Sequence, residues 1–142
     1  MRGFLGCVVV LLLLVLFSAC ESSGGIASGV DETCRAGVRQ GGCVGTYKEI
    51  SGRYLKEIDL GKPVQSIQVD IALEVEEGTL NVSVKDELGK ETTAQAVPGS
   101  PVKLSSQVLV DDQCFMVEFE SQGQRVKGVS YRIEYSYAPL GE

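Results

Sequence analysis

Apolar residues occupy every second position from Ile67 through Val69, Ile71 and Leu73 to Val75, and Gln68, Asp70, Ala72, Glu74 and Glu76 fall between them. A period of two sends alternate side chains to opposite faces of an extended chain, so this stretch predicts a strand with one buried face. Glu77-Gly78 follows as a tight turn, and the alternation resumes at Leu80, Val82 and Val84. Pairing Glu76 with Thr79 sets Val75 against Leu80, Leu73 against Val82 and Ile71 against Val84, all on one face. The pattern therefore predicts a hairpin. Asp86-Glu87-Leu88-Gly89 supplies a second hairpin turn, with Asp to start it and Gly for the left-handed position. It leads into a strand from Thr92 to Val97, which Pro98-Gly99-Ser100-Pro101 ends.

Val102, Leu104, Val108 and Val110 predict a further strand, which Asp111-Asp112 turns into Phe115, Val117 and Phe119. After Ser121 to Arg125, Val129, Tyr131, Ile133, Tyr135 and Tyr137 alternate with Ser130, Arg132, Glu134 and Ser136 as a closing strand. With Tyr54, Ile58 and Leu60 at its start, the domain holds about seven or eight strands at regular spacing, and no helical period. The expected fold is all-β, a single antiparallel β-sandwich of jelly-roll or Ig-like type spanning residues 46–142. Residues 20–45 are rich in Gly, Ser and charge and lack a run of large apolar side chains, so they are expected to form a flexible tether.

The N-terminus carries a different signal. Met1-Arg2-Gly3 is a short cationic start, Val8 to Phe17 are all apolar, and small Ser18 and Ala19 precede Cys20. These are the three parts of an export signal, and the apolar run falls short of the ~20 residues a membrane-spanning helix needs. Leu16-Phe17-Ser18-Ala19-Cys20 resembles the lipobox of bacterial lipoproteins, with Phe17 where that family usually has leucine. The resemblance implies that diacylglycerol alkylates the Cys20 thiol, that residues 1–19 are removed, and that Cys20 becomes the first residue, often acylated (palmitate) on its amino group. Each buried methylene of such chains contributes about 0.8 kcal/mol, so two or three chains hold firmly. The implied location is the cell envelope, lipid-anchored and extracytoplasmic. Because Glu21 is not the aspartate of inner-membrane retention, a Gram-negative host implies the outer membrane facing the periplasm.

Charge narrows the partners. The chain has 13 Lys and Arg against 19 Asp and Glu, and loss of Arg2 with the signal leaves 12 − 19 = −7. Nucleic acid, whose phosphates need a basic face, is excluded, and so is a polybasic grip on anionic lipid. Export also permits disulfides. Cys7 leaves with the signal and Cys20 is spoken for, so Cys34, Cys43 and Cys114 remain, enough for one bridge and one leftover thiol. Cys34 and Cys43 enclose a Gly-rich loop that can close, and are the favoured pair; the runner-up joins one of them to Cys114. Zinc is not expected, since C-x8-C is not a zinc spacing and the chain has no histidine.

Without histidine, the Ser-His-Asp and Cys-His systems and the His-Glu-x-x-His metal site are absent. Ser100-Pro101-Val102-Lys103 spells S-x-x-K, but residues three apart on a strand point to opposite sides. Glu74 with Glu76, and Glu118 with Glu120, alternate with core residues and so belong to solvent. Asp86-Glu87 and Asp111-Asp112 fit turns better than a calcium loop, and Asn81-Val82-Ser83 is a chance sequon within a strand. Tyr131, Tyr135 and Tyr137 share a face with Val129 and Ile133, which assigns them to the core instead of a carbohydrate platform. No catalytic residue, metal or cofactor is expected.

Gly78-Thr79-Leu80 running into Val82 and Val84, the Asp86 to Gly89 turn and Tyr131-Arg132-Ile133-Glu134-Tyr135 resemble the pre-peptidase C-terminal domain of secreted bacterial peptidases. That family implies a non-catalytic β-sandwich. The expectation is a membrane-anchored cell-envelope lipoprotein presenting a non-catalytic binding module, its contacts on loops, for a protein or envelope component. The alternatives are a structural anchoring subunit of an envelope complex and, third, an enzyme using carboxylates or a metal.

Overall fold

A computed structural model describes residues 25–110 and 113–137. Its ten strands are β1 (Ile26–Ser28), β2 (Asp31–Ala36), β3 (Gln40–Ser51), β4 (Arg53–Asp59), β5 (Ser66–Glu74), β6 (Leu80–Lys85), β7 (Glu91–Ala96), β8 (Val102–Leu109), β9 (Cys114–Ser121) and β10 (Val126–Tyr137). One antiparallel sheet runs β1-β3-β10-β5-β8, with β2 also on β3, and the other runs β4-β9-β6-β7. From β3 onward every connection passes from one sheet to the other except β6–β7, which are neighbours in the same sheet. That is jelly-roll order, and the expected all-β sandwich is what the chain forms.

One expected pairing is absent. β5 pairs with β10 and β8, whereas β6 pairs with β7 and β9, so residues 75–79 form a corner between sheets and not a hairpin turn. Gly78 takes φ 88° there, and Glu77 bridges to Lys127 of β10. The alternation could not reveal this, because Leu73 and Leu80 face the core whether their strands lie side by side or on opposite layers. The β6–β7 hairpin is present as expected. Asp86 Oδ1 accepts the backbone N–H of Leu88 at 3.0 Å and of Lys90 at 2.8 Å, and Gly89 takes φ 83°.

Between the sheets the core is aliphatic around a group of rings. Tyr47 stacks on Tyr131 with centroids 5.1 Å apart, and Phe119 meets both rings edge-on or tilted. Tyr131 and Tyr135 are buried and Tyr137 is half-buried, its hydroxyl donating to the Leu60 carbonyl at 3.1 Å. Opposite the tyrosines on β3 stand Gly45, paired with Tyr131, and Gly41, paired with Tyr135. A Cβ at Gly45 would lie 2.6 Å from the Tyr131 hydroxyl, and one at Gly41 would strike the Tyr135 ring. The glycines let both rings cross β3 toward the sheet edge.

The tether expected over residues 20–45 ends sooner than its composition implied. β1, β2 and the first half of β3 lie within it, and β2 pairs with β3 from Asp31↔Thr46 to Ala36↔Gly41. On the side of β2 that alternates toward the core stand Glu32, Cys34 and Ala36, and of these only Glu32 is half-buried. Hence no apolar alternation marks it.

Candidate functional site

The rim between β2 and β4 is closed by charge. Lys56 stands on β4 between Tyr54 and Ile58 at an inward position and is 8% exposed. Its Nζ donates to Glu32 Oε1 at 2.5 Å, while Glu32 Oε2 accepts the hydroxyl of Tyr131 and, at 3.5 Å, that of Tyr47. Burial works against ionisation of Glu32, but the hydrogen bonds from Lys56 and Tyr131, the Lys56 charge and the Tyr47 hydroxyl outweigh it and hold the carboxyl below its ordinary range. Burial first, then donation to Glu32, pushes the Tyr131 phenol far above its usual value, and burial does the same for Tyr47. Every polar tip in the cluster is committed to another, which makes it a seal. Inward charge on two facing edge strands also guards the rim against further strand pairing.

Next to it, Cys34 and Cys43 form a disulfide across β2 and β3, with Cα atoms 4.1 Å apart. The favoured pairing is the one observed, and Cys114, half-buried at the start of β9, is outside it. Glu32 and the two sulfurs lie within 4.8 Å of one another, yet sulfurs joined to each other offer no thiolate for a metal.

The second region is the outward face of the larger sheet. Register places its side chains in rows across the strands. Asp31, Thr46, Ser130 and Glu74 form one row, and Thr33, Val44, Arg132, Ala72 and Lys103 the next. Arg35, Gly42, Glu134, Asp70 and Ser105 form a third, in which Ser105 donates to Asp70. Thr46 and Ser130 of the first row, Val44 and Ala72 on either side of Arg132 in the second, and Pro101 line a groove of about 600 Å³. A neighbouring groove of about 960 Å³ continues over Gly42. Arg132 reaches Glu134 at 3.6 Å, with both side chains well exposed. Tyr131 borders this groove, but it is buried and its ring is stacked on Tyr47 between the sheets, so it offers no open face for sugar stacking.

The other residues singled out in the sequence fall apart. Cys20, Asp111 and Asp112 lie outside the described residues. Glu74 ends β5, while Glu76 sits in the corner beyond it, so the two do not share a strand face. Glu118 receives Arg53 Nη2 at 2.6 Å, and Glu120 is exposed. Ser100 closes a turn with Val97, separate from Lys103 on the outer face. Sequence reasoning missed the Glu32–Lys56 pair, for which the one available signal was a lysine at the inward position of Tyr54-Leu55-Lys56-Glu57-Ile58. It also missed the groove, whose members come from five strands.

No family model matches the chain, and no curated protein matches it. Among solved structures, one described as "CBM4 structure and function" shares 15% identity over 79% of this chain and 80% of that chain, with a TM-score of 0.40. An S161A mutant of Bacillus subtilis oxalate decarboxylase shares 9% identity over 82% of this chain and 27% of that chain, at 0.39. The enzymatically active domain of tailspike protein 4 from bacteriophage CBA120 shares 12% over 80% of this chain and 19% of that chain, also at 0.39. Likeness this remote carries no functional argument.

Proposed function

We propose that the chain is a lipid-anchored protein of the cell envelope that presents the outward face of its larger sheet as a non-catalytic binding surface. The observation that carries the reading is the arrangement of that face. Charged, hydroxyl and small side chains from five strands lie in register around a groove of about 600 Å³, while the core rings are turned away from it. Ligand grooves of that size suit a small molecule or a short chain segment. In place of the loops, a rigid sheet supplies the contacts, which fixes their spacing.

The anchor is Cys20, through its lipobox resemblance. Five residues, 21–25, separate it from β1, and five residues span at most about 18 Å. An anchored domain would thus stay close to the membrane surface. Two measurements test the proposal. Fatty-acid label should enter the wild type and be lost in Cys20→Ser; equal labelling of both would overturn the anchor. Photo-crosslinking residues placed on intact cells at Thr46 or Ser130 should give discrete adducts that are absent when the same group replaces Gln95 on the outward face of β7. Identical adducts from both faces, or none from either, would overturn the binding surface.

A further inference from the structure

We infer that the groove over Ala72 binds a short zwitterionic peptide by its two free termini, an inference that rests on the outer face being the contact surface.

The charge pattern of the groove is bipolar. Asp31 and Glu74 stand in one row and Arg132 and Lys103 in the adjacent one, so the groove carries two acids and two bases and its own charges cancel. Among the described residues Asp31, Glu74 and Lys103 make no ion pair, and Arg132 has only its 3.6 Å contact with Glu134. A purely anionic ligand between Arg132 and Lys103 would sit beside Glu74, diagonal to both, and be repelled by it. A purely cationic ligand at Glu74 would meet the two bases in the same way. A ligand with one charge of each sign compensates both rows.

Spacing selects the size. Adjacent rows lie two residues apart along a strand, about 6.6–6.8 Å. An extended dipeptide spans about 7 Å between its ends. Its carboxylate then falls over Ala72 between the Arg132 guanidinium and the Lys103 ammonium, two donors that suit a carboxylate. Its ammonium falls beside Glu74. Beside them, the wall at Pro101 offers apolar contact for a small side chain.

The test is an amide-shift NMR titration of the ¹⁵N-labelled full chain in detergent micelles with alanyl-alanine, N-acetyl-alanyl-alanine and alanyl-alanine amide. The expected result is saturable shifts at Ala72, Lys103, Ser130 and Arg132 with alanyl-alanine, and at least five-fold weaker binding when either terminus is capped. Glu74→Gln should abolish discrimination against the acetylated peptide while keeping that against the amide, and Lys103→Gln should do the reverse. Shifts at the groove that ignore both caps would overturn the zwitterion inference and leave the binding face standing. An absence of shifts there up to 20 mM peptide would also overturn it, while the cross-linking comparison judges the face independently.

Discussion

Glu32 and Lys56 sit on edge strands of opposite sheets, yet their side chains meet at 2.5 Å inside the rim of the sandwich. The pair joins β2 to the second sheet, which no backbone ladder among the described residues does. Removing one partner leaves the other charge poorly solvated, a loss that reaches 3–5 kcal/mol for fully buried pairs. Glu32 retains 23% of its side-chain exposure, so the expected cost of Lys56→Met or Glu32→Leu is lower, about 2–3 kcal/mol in urea denaturation. The double variant Glu32→Leu/Lys56→Met should recover most of that loss. Additive losses in the cycle would show that the pair is not a unit.

The same cluster makes stability depend on pH at both ends. Glu32 has a folded pKa below its ordinary 4.5, so the unfolded chain binds its proton more readily than the folded one. Its contribution is fully present above pH 4.5 and is lost as pH falls through the lower folded value. Tyr131 has its pKa raised above 10.0, so its contribution is complete below pH 10.0 and is lost as pH rises beyond it. Denaturation midpoints across pH should show an acid limb that Glu32→Gln flattens and an alkaline limb that Tyr131→Phe flattens. Unchanged limbs in both variants would place the titrating groups elsewhere.

Gly45 is small because Tyr131 needs the space. An added Cβ would stand 2.6 Å from the phenol oxygen and 2.8 Å from the Asp31 carbonyl, closer than such atoms pack. Gly45→Ala should therefore cost about 1–3 kcal/mol, the usual range for overpacking. In a Tyr131→Phe background the oxygen is gone while the ring carbon Cζ, 2.8 Å from the added Cβ, stays, so the added penalty should shrink in part. An equal penalty in both backgrounds would assign the strain to the ring carbon and the β2 backbone instead of to the hydroxyl.

These relationships mark where the sequence was legible. Asp86 and Gly89 have side-chain and backbone preferences that act within four residues, so the β6–β7 hairpin could be read locally. Ile71 and Leu80 announce burial but not the layer that buries them, so the partner of β5 could not be read. β2 was hidden because its side toward the core carries Glu32, Cys34 and a single small Ala36, and the value of the first two depends on Lys56 and Cys43 elsewhere in the chain. The outer-face groove was hidden for the same reason. Ser130, Ala72 and Lys103 are ordinary exposed-strand residues until register sets them side by side.

The Cys34–Cys43 bridge closes a short loop and fixes β2 on β3 two pairs away from Glu32 and Gly45. Closing a loop of ten residues stabilises by about 2–3 kcal/mol through the unfolded chain. Part of that effect should appear locally, because β2 has few apolar contacts of its own and the bridge limits its fraying. Cys34→Ser/Cys43→Ala should therefore lower the global denaturation midpoint by an amount matching that range and, in hydrogen exchange, speed the amides of 31–36 far more than those of β5. It should also weaken the Glu32–Lys56 coupling measured by the double-mutant cycle, since a strand that leaves its place carries Glu32 away. If exchange rises uniformly and the coupling is unchanged, the bridge acts on the unfolded chain alone.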